Sequence, residues 1–268
     1  MTAPPSQHGR PVTPAPAPGS LAVLTPSTDR AAEAVPPPPP DLAPPTPRRG
    51  AGADGRARIL QAVVDAAVAG RLHRTSVVEL CRDAGLSERR AFYVWFAGRQ
   101  DAFLAACLEA DAALRTRIEQ AYVQTPGGNA TARARACVAA IVRFVTEDPR
   151  RAEALVLHGH AAGPDLAIAR ERTMRWLGAL VQHATRRLPA PTAGRELVTQ
   201  MALGGINEIV LSRLAAGRPH DLPGDVDRMV GLLLQPYSPV GGVAPPAGAS
   251  SRSASVPVLR AVPAGVVA

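Results

Sequence analysis

Lysine is absent from this chain of 268 residues. All 30 basic side chains are arginine, which reads as a coding bias toward GC-rich codons with no functional meaning attached. Cysteine is scarce: Cys81, Cys107 and Cys137 are odd in number, far apart and without a CxxC spacing. That pattern argues against a disulfide framework and against a zinc site, and predicts reduced, buried thiols. No run of 18 apolar residues occurs, so no segment reads as a membrane span. The opening Met-Thr-Ala-Pro-Pro-Ser-Gln lacks the basic stretch and apolar core of a leader. A cytoplasmic protein with no membrane partner is the expectation. GxSxG, Walker and HExxH motifs are missing as well. His158 and His160 are two apart, a spacing that does not share one helical face, and no third ligand is evident. Neither an enzyme, a cofactor nor a metal is expected.

Proline is abundant but badly distributed for folding. Of 28 prolines, 15 lie in the first 50 residues and six follow Gln235. Proline removes a backbone donor and fixes φ, so both ends are poor helix and strand material. Residues 1–54 read as a disordered or polyproline-II arm, with five consecutive prolines at Pro36–Pro40 and a basic Arg48-Arg49. Residues 236–268 read as a disordered tail. The stretch between them is long enough for one compact domain or two small ones. Net charge is +8, which favours polyanionic partners. Between Asp54 and Ala110, however, eight arginines face seven acids, so any useful positive charge there must be local.

Apolar residues recur at helical spacing throughout the middle, and no segment alternates as a strand would. The expected fold is all-α with about nine helices, near 56–69, 76–84, 88–96, 100–123, 130–147, 150–158, 164–188, 193–216 and 223–234. The punctuation is specific. Gly70 ends the first helix. Ser76 and Glu79 stand in capping-box register. Asn129 caps the fifth helix after Pro126-Gly127-Gly128, and Asp148-Pro149 stops it.

Thr75 to Phe96 reads as two short helices joined by a turn at Gly85, the second opening at a capping Ser87 and carrying Arg89, Arg90 and Tyr93. A helix–turn–helix of this build can lay its second helix in the DNA major groove. With its continuation Ala97-Gly-Arg-Gln-Asp-Ala-Phe-Leu-Ala-Ala106, this stretch resembles the helix–turn–helix pattern of the tetracycline-repressor (TetR) family. Glu147-Asp-Pro-Arg-Arg-Ala-Glu-Ala-Leu155 and Gly204-Gly-Ile-Asn-Glu-Ile-Val-Leu-Ser-Arg-Leu-Ala-Ala-Gly217 are similar to further parts of that family. Gly85 to Phe96 is one residue longer than the family pattern, enough to rotate one side of the element by about 100°.

The resemblance implies a helix–turn–helix domain at residues 55–99 and a helical ligand-binding and dimerisation domain at 100–235. It implies a homodimer on double-stranded DNA at a pseudo-palindrome, released by an unidentified small-molecule effector, most often as a repressor. The implied DNA-facing residues are Thr75, Ser76, Ser87, Glu88, Arg89, Arg90, Tyr93, Trp95 and Arg99. Arginine can pair with guanine or hold phosphate. Candidate pocket residues are Cys107, Arg143, His158, Trp176 and Leu180, with an apolar ligand suggested by the 3% aromatic content. Candidate dimer contacts are Gly205, Glu208, Ile209, Leu211 and Ser212. The rival reading is an all-α carrier or enzyme using the C-terminal cavity, with the basic turn as surface charge.

Overall fold

In the first helix, α1 (Ala53–Val68), Ile59, Val63 and Ala66 are spaced four and three apart and are fully buried. That stripe supplies the packing energy a short helix lacks by itself. The computed structural model describes residues 35–41, 53–125, 129–189, 191 and 193–237. The basic pair Arg48-Arg49, the break at Pro126-Gly127-Gly128 and the tail beyond Tyr237 lie outside the described residues. Residues from Pro36 onward form one compact unit, and Met1–Val35 separates as another, of which only Val35 is described.

The remaining helices are α2 (Val77–Asp83), α3 (Arg89–Tyr93), α4 (Arg99–Val123), α5 (Ala130–Glu147), α6 (Pro149–Val156), α7 (Pro164–Thr185), α8 (Arg195–Ala215) and α9 (Leu222–Leu234). Among the described residues there are nine α-helices and no strand. The expected punctuation holds: Ser76 accepts from the Glu79 amide while the Glu79 side chain accepts from the Ser76 amide, and Asn129 accepts from the Thr131 amide at 2.9 Å. Asp148 ends α5 and caps α6 through the Arg151 amide.

Helix α4 is central to the unit that begins at Pro36. It packs against α1, α5, α6 and α7, so its buried positions spread round the helix instead of forming one stripe: Phe103, Ala106, Cys107, Ala110, Asp111, Arg115, Ile118 and Tyr122. Helices α8 and α9 pack on one another, and α8 also lies against α7.

Three expectations need correction. Helix α3 is five residues long, not nine, and its N-cap is Glu88, not Ser87, with no side-chain cap bond. Glu88 is extended, so Ser87 and Glu88 belong to the turn, where an additional residue is accommodated without disturbing the helix. The proline run is not part of an unattached arm, because Pro36 to Asp41 lies against α4 and α7. The compact body also runs past residue 235: Tyr237 is 2% exposed and its hydroxyl bonds the Thr199 hydroxyl at 3.3 Å.

Candidate functional site

The turn between α2 and α3 depends on Gly85, whose φ of +65° is a left-handed conformation that side chains with a Cβ disfavour. From it emerges α3, a short helix with two unlike faces. Phe92 and Phe96 are turned inward, 0% and 2% exposed. Burying side chains of that size stabilises the head by about 1.5–3 kcal/mol each. On the outer side Ser87, Glu88, Arg89, Arg90 and Tyr93 are exposed together. The Arg89 guanidinium lies over the Tyr93 ring, 6.0 Å from its centroid. Arg90 has no ion-pair partner among the described residues. The outer face is therefore a basic and aromatic ridge on a rigid base.

Other residues of the expected interface stand differently. Thr75 is buried and donates its hydroxyl to the Arg71 carbonyl at 2.9 Å, so its side chain faces inward. Ser76 is exposed but occupied by the capping box. Trp95 is half-buried beneath Arg56, whose guanidinium is 5.9 Å from its ring. Arg99 is exposed and donates to the Thr75 carbonyl at 3.2 Å, linking the first turn of α4 to the start of the helix–turn–helix.

In the body, two adjoining cavities of about 100 and about 50 Å³ open between α4, α5, α7 and α8. They share Ile118, Ile141, Leu177, Leu203 and Ile206. The larger adds polar groups from Asp111, Arg170, Thr173 and Asn207. The smaller is almost wholly apolar, with Tyr122, Arg133 and Cys137 in its wall. Burial pushes the Cys137 thiol up to about 12, so at neutral pH it is a neutral apolar lining group and not a nucleophile. Burial also raises the Asp111 carboxyl above the usual range, against the lowering pull of Thr173 and Arg115.

Of the five candidate pocket residues, Leu180 lines a cavity. Cys107 is packed toward the Ala154 carbonyl and lines neither cavity. Arg143 is exposed beside Arg117, Gln120 and Glu147 on an open surface. His158 pairs with Glu153 at 3.7 Å, and Trp176 donates its indole N–H to the Pro36 carbonyl at 3.1 Å. Helical period could not place Cys107, because α4 is enclosed on most sides and its buried positions spread round the helix. The lining residues Leu114, Ile118, Leu177, Leu203 and Ile206 stood in the sequence only as parts of apolar stripes or motifs.

On α8, Glu208 and Ser212 are exposed, and Gly205, Ile209 and Leu211 are partly buried. The same helix exposes Leu197 (52%) and Met201 (68%). With Gly204, Glu208 and Ser212 they follow the i, i+4, i+7, i+11, i+15 spacing of one helix face. A Cβ on Gly205 would meet Leu232 of α9 at 3.5 Å, which brings α9 up beside that face.

No protein-family model and no curated protein matches this chain. Solved structures do. The fatty acid degradation regulator FadR of Bacillus halodurans superposes with a TM-score of 0.59 at 17% identity, over 69% of this chain and 97% of its own. A TetR-family regulatory protein from Rhodococcus RHA1 gives 0.57 at 18% identity, covering 69% and 98%. FadR of Bacillus subtilis in complex with stearoyl-CoA gives 0.57 at 16%, covering 67% and 98%. The chain has the all-α fold of TetR-like transcriptional regulators.

Proposed function

We propose that this chain is a TetR-family transcriptional regulator, a cytoplasmic homodimer that binds double-stranded DNA and is released from it by an apolar effector. The observation that carries this reading is the ridge Arg89-Arg90-Tyr93, exposed on a short helix that the buried Phe92 and Phe96 anchor in the core. Such a helix offers guanidinium forks to base edges and a phenol to phosphate, and its buried face fixes its angle. Residues 55–99 serve as the reading head and 100–235 as the sensing and dimerising body.

Helix α4 couples the two. Its first turn holds the head through Arg99, and its later turns contribute Leu114 and Ile118 to the cavities. Drug-sized ligands need roughly 300–1,000 Å³, more than the two cavities provide. An effector must therefore spread α4, α5, α7 and α8, and that motion reaches the head along a rigid helix. The effector favours the packing whose two heads no longer match their half-sites. An aliphatic wall with Arg170 and Asn207 at its polar side suits a long apolar ligand with one polar end, in keeping with stearoyl-CoA on the structurally similar FadR of Bacillus subtilis. Two copies pair through the face of α8 that exposes Leu197, Met201, Glu208 and Ser212, beside Leu232 of α9.

Fluorescence anisotropy on the duplex beside the protein's own gene tests the reading, with random duplex as competitor. Sequence-dependent binding lost in Arg90→Ala/Tyr93→Ala supports it. Binding to every candidate genomic site no tighter than to random duplex overturns it.

A further inference from the structure

The polar cluster Asp111–Arg115–Thr173 serves neither the reading head nor the core in any obvious way. Arg115 is 7% exposed and Asp111 3% exposed. A buried ion pair is costly unless the other hydrogen-bonding groups of both ions are also satisfied. Here they are. Arg115 Nε donates to Asp111 Oδ2 at 3.1 Å, and Thr173 Oγ1 donates to the same oxygen at 2.9 Å. Arg115 Nη1 donates to the Pro39 carbonyl at 2.9 Å, and Nη2 pairs with the Asp41 carboxylate. Two of the three guanidinium nitrogens are thus satisfied by a segment more than 70 residues away in sequence.

The rest of the contact has the same character. Trp176, 5% exposed, donates its indole N–H to the Pro36 carbonyl. Leu108, Ala169 and Arg172 complete a shallow groove around Pro39, Pro40 and Asp41. A proline run has carbonyl acceptors and no amide donors, so it bonds well only to a surface that presents donors. Its backbone is preset, so little entropy is lost when it docks. An indole N–H and an arginine fork supply those donors, and Leu108 and Ala169 give the groove its apolar part.

We propose that the groove between α4 and α7 is a polyproline-recognition site whose occupant is this chain's own Pro36–Asp41 segment. Trp176 and Arg115 read the carbonyls of Pro36 and Pro39, and Arg115 reads the acidic end through Asp41. A proline-rich segment ending in an acidic residue is the ligand class. The tethered copy holds the groove because its local concentration is in the mM range expected for a short tether. The site stands on its own geometry and is independent of whether α3 binds DNA.

The test uses the full chain and the two indole N–H signals from its two tryptophans, with Trp95→Phe identifying that of Trp176. Glycine at all five of Pro36–Pro40 together with Asp41→Asn should speed exchange of the Trp176 indole hydrogen at least tenfold. The peptide Val-Pro-Pro-Pro-Pro-Pro-Asp-Leu, added at mM concentration, should restore protection saturably. The same peptide with asparagine in place of aspartate should restore it less. An unchanged Trp176 signal in the glycine variant would overturn the proposal, as would failure of the aspartate peptide to restore protection. Circular dichroism on each variant confirms the helical fold, so that a loss of protection is read as undocking.

Discussion

Arg99 donates to the carbonyl of Thr75 across 24 residues, at 3.2 Å. The bond joins the helix that runs through the body to the residue where the helix–turn–helix begins. It is the polar counterpart of the apolar contact between α1 and α4. Removing the donor in Arg99→Ala leaves that carbonyl to water at a partly exposed site. A loss of about 1 kcal/mol is expected, with faster amide exchange confined mainly to α2 and α3. A melting curve and a hydrogen-exchange map check it.

Substitutions on the two faces of α3 should separate cleanly. Arg89→Ala and Arg90→Ala touch exposed side chains and should leave the melting temperature nearly unchanged. Each should weaken binding to the specific duplex by about 1–3 kcal/mol if it pairs with a guanine. Phe92→Ala empties a fully buried site and should cost about 3–5 kcal/mol of stability. Thermal melts beside anisotropy titrations distinguish the two outcomes.

The cap of α2 carries a pH signature. Bonds from Ser76, its backbone amide first, hold the Glu79 carboxyl below its usual range. The folded value lies below the unfolded one, so this stabilisation is complete above the unfolded pKa and is lost as pH falls through the folded value. Glu79→Ala, which removes the titrating acceptor, should therefore lower stability at pH 7, and the gap from the parent should shrink at about pH 3. Urea titrations at the two pH values measure it; an equal gap at both would contradict the capping box as the cause.

All three thiols should be silent in the native protein. Burial raises Cys81 and pushes Cys107 and Cys137 up to about 12. A disulfide reagent at pH 7 should find no fast-reacting thiol in the folded chain and three after unfolding in urea.

Ile206 lines both cavities. Ile206→Phe should fill the shared space at about 1–3 kcal/mol of overpacking strain. It should weaken binding of the apolar fluorophore cis-parinaric acid at least tenfold and leave duplex affinity within about twofold. Parallel titrations of fluorophore and duplex decide this.

The helices were legible because local chemistry punctuates them. Ser76 with Glu79, Asn129, and Asp148 with Pro149 each satisfy or end a helix within four residues, and such signals survive in sequence. The exposed ridge of α3 was legible through the resemblance, which implied Arg89, Arg90 and Tyr93 as DNA-facing, and all three are exposed. The cavity was not legible. Cys107 and Leu114 both lie on α4, but that helix is surrounded, and only the placement of α5, α7 and α8 decides which of them meets space. Trp176 and Pro36 lie 140 residues apart, and no local pattern in either stretch names the other. Leu197 and Met201 are apolar at helical spacing like the buried residues of α8, yet among the described residues they are exposed, a difference that no local pattern marks.

Hydroxyl-radical footprinting of the full chain on the DNA upstream of its own gene tests the central claim most directly. Two recognition helices related by a two-fold axis should protect two patches about 10 base pairs apart, or a multiple of that, on one side of the duplex. Both patches should vanish together in Arg90→Ala/Tyr93→Ala. Protection that is uniform along the duplex, or that survives the double substitution, would contradict a sequence-reading role for α3.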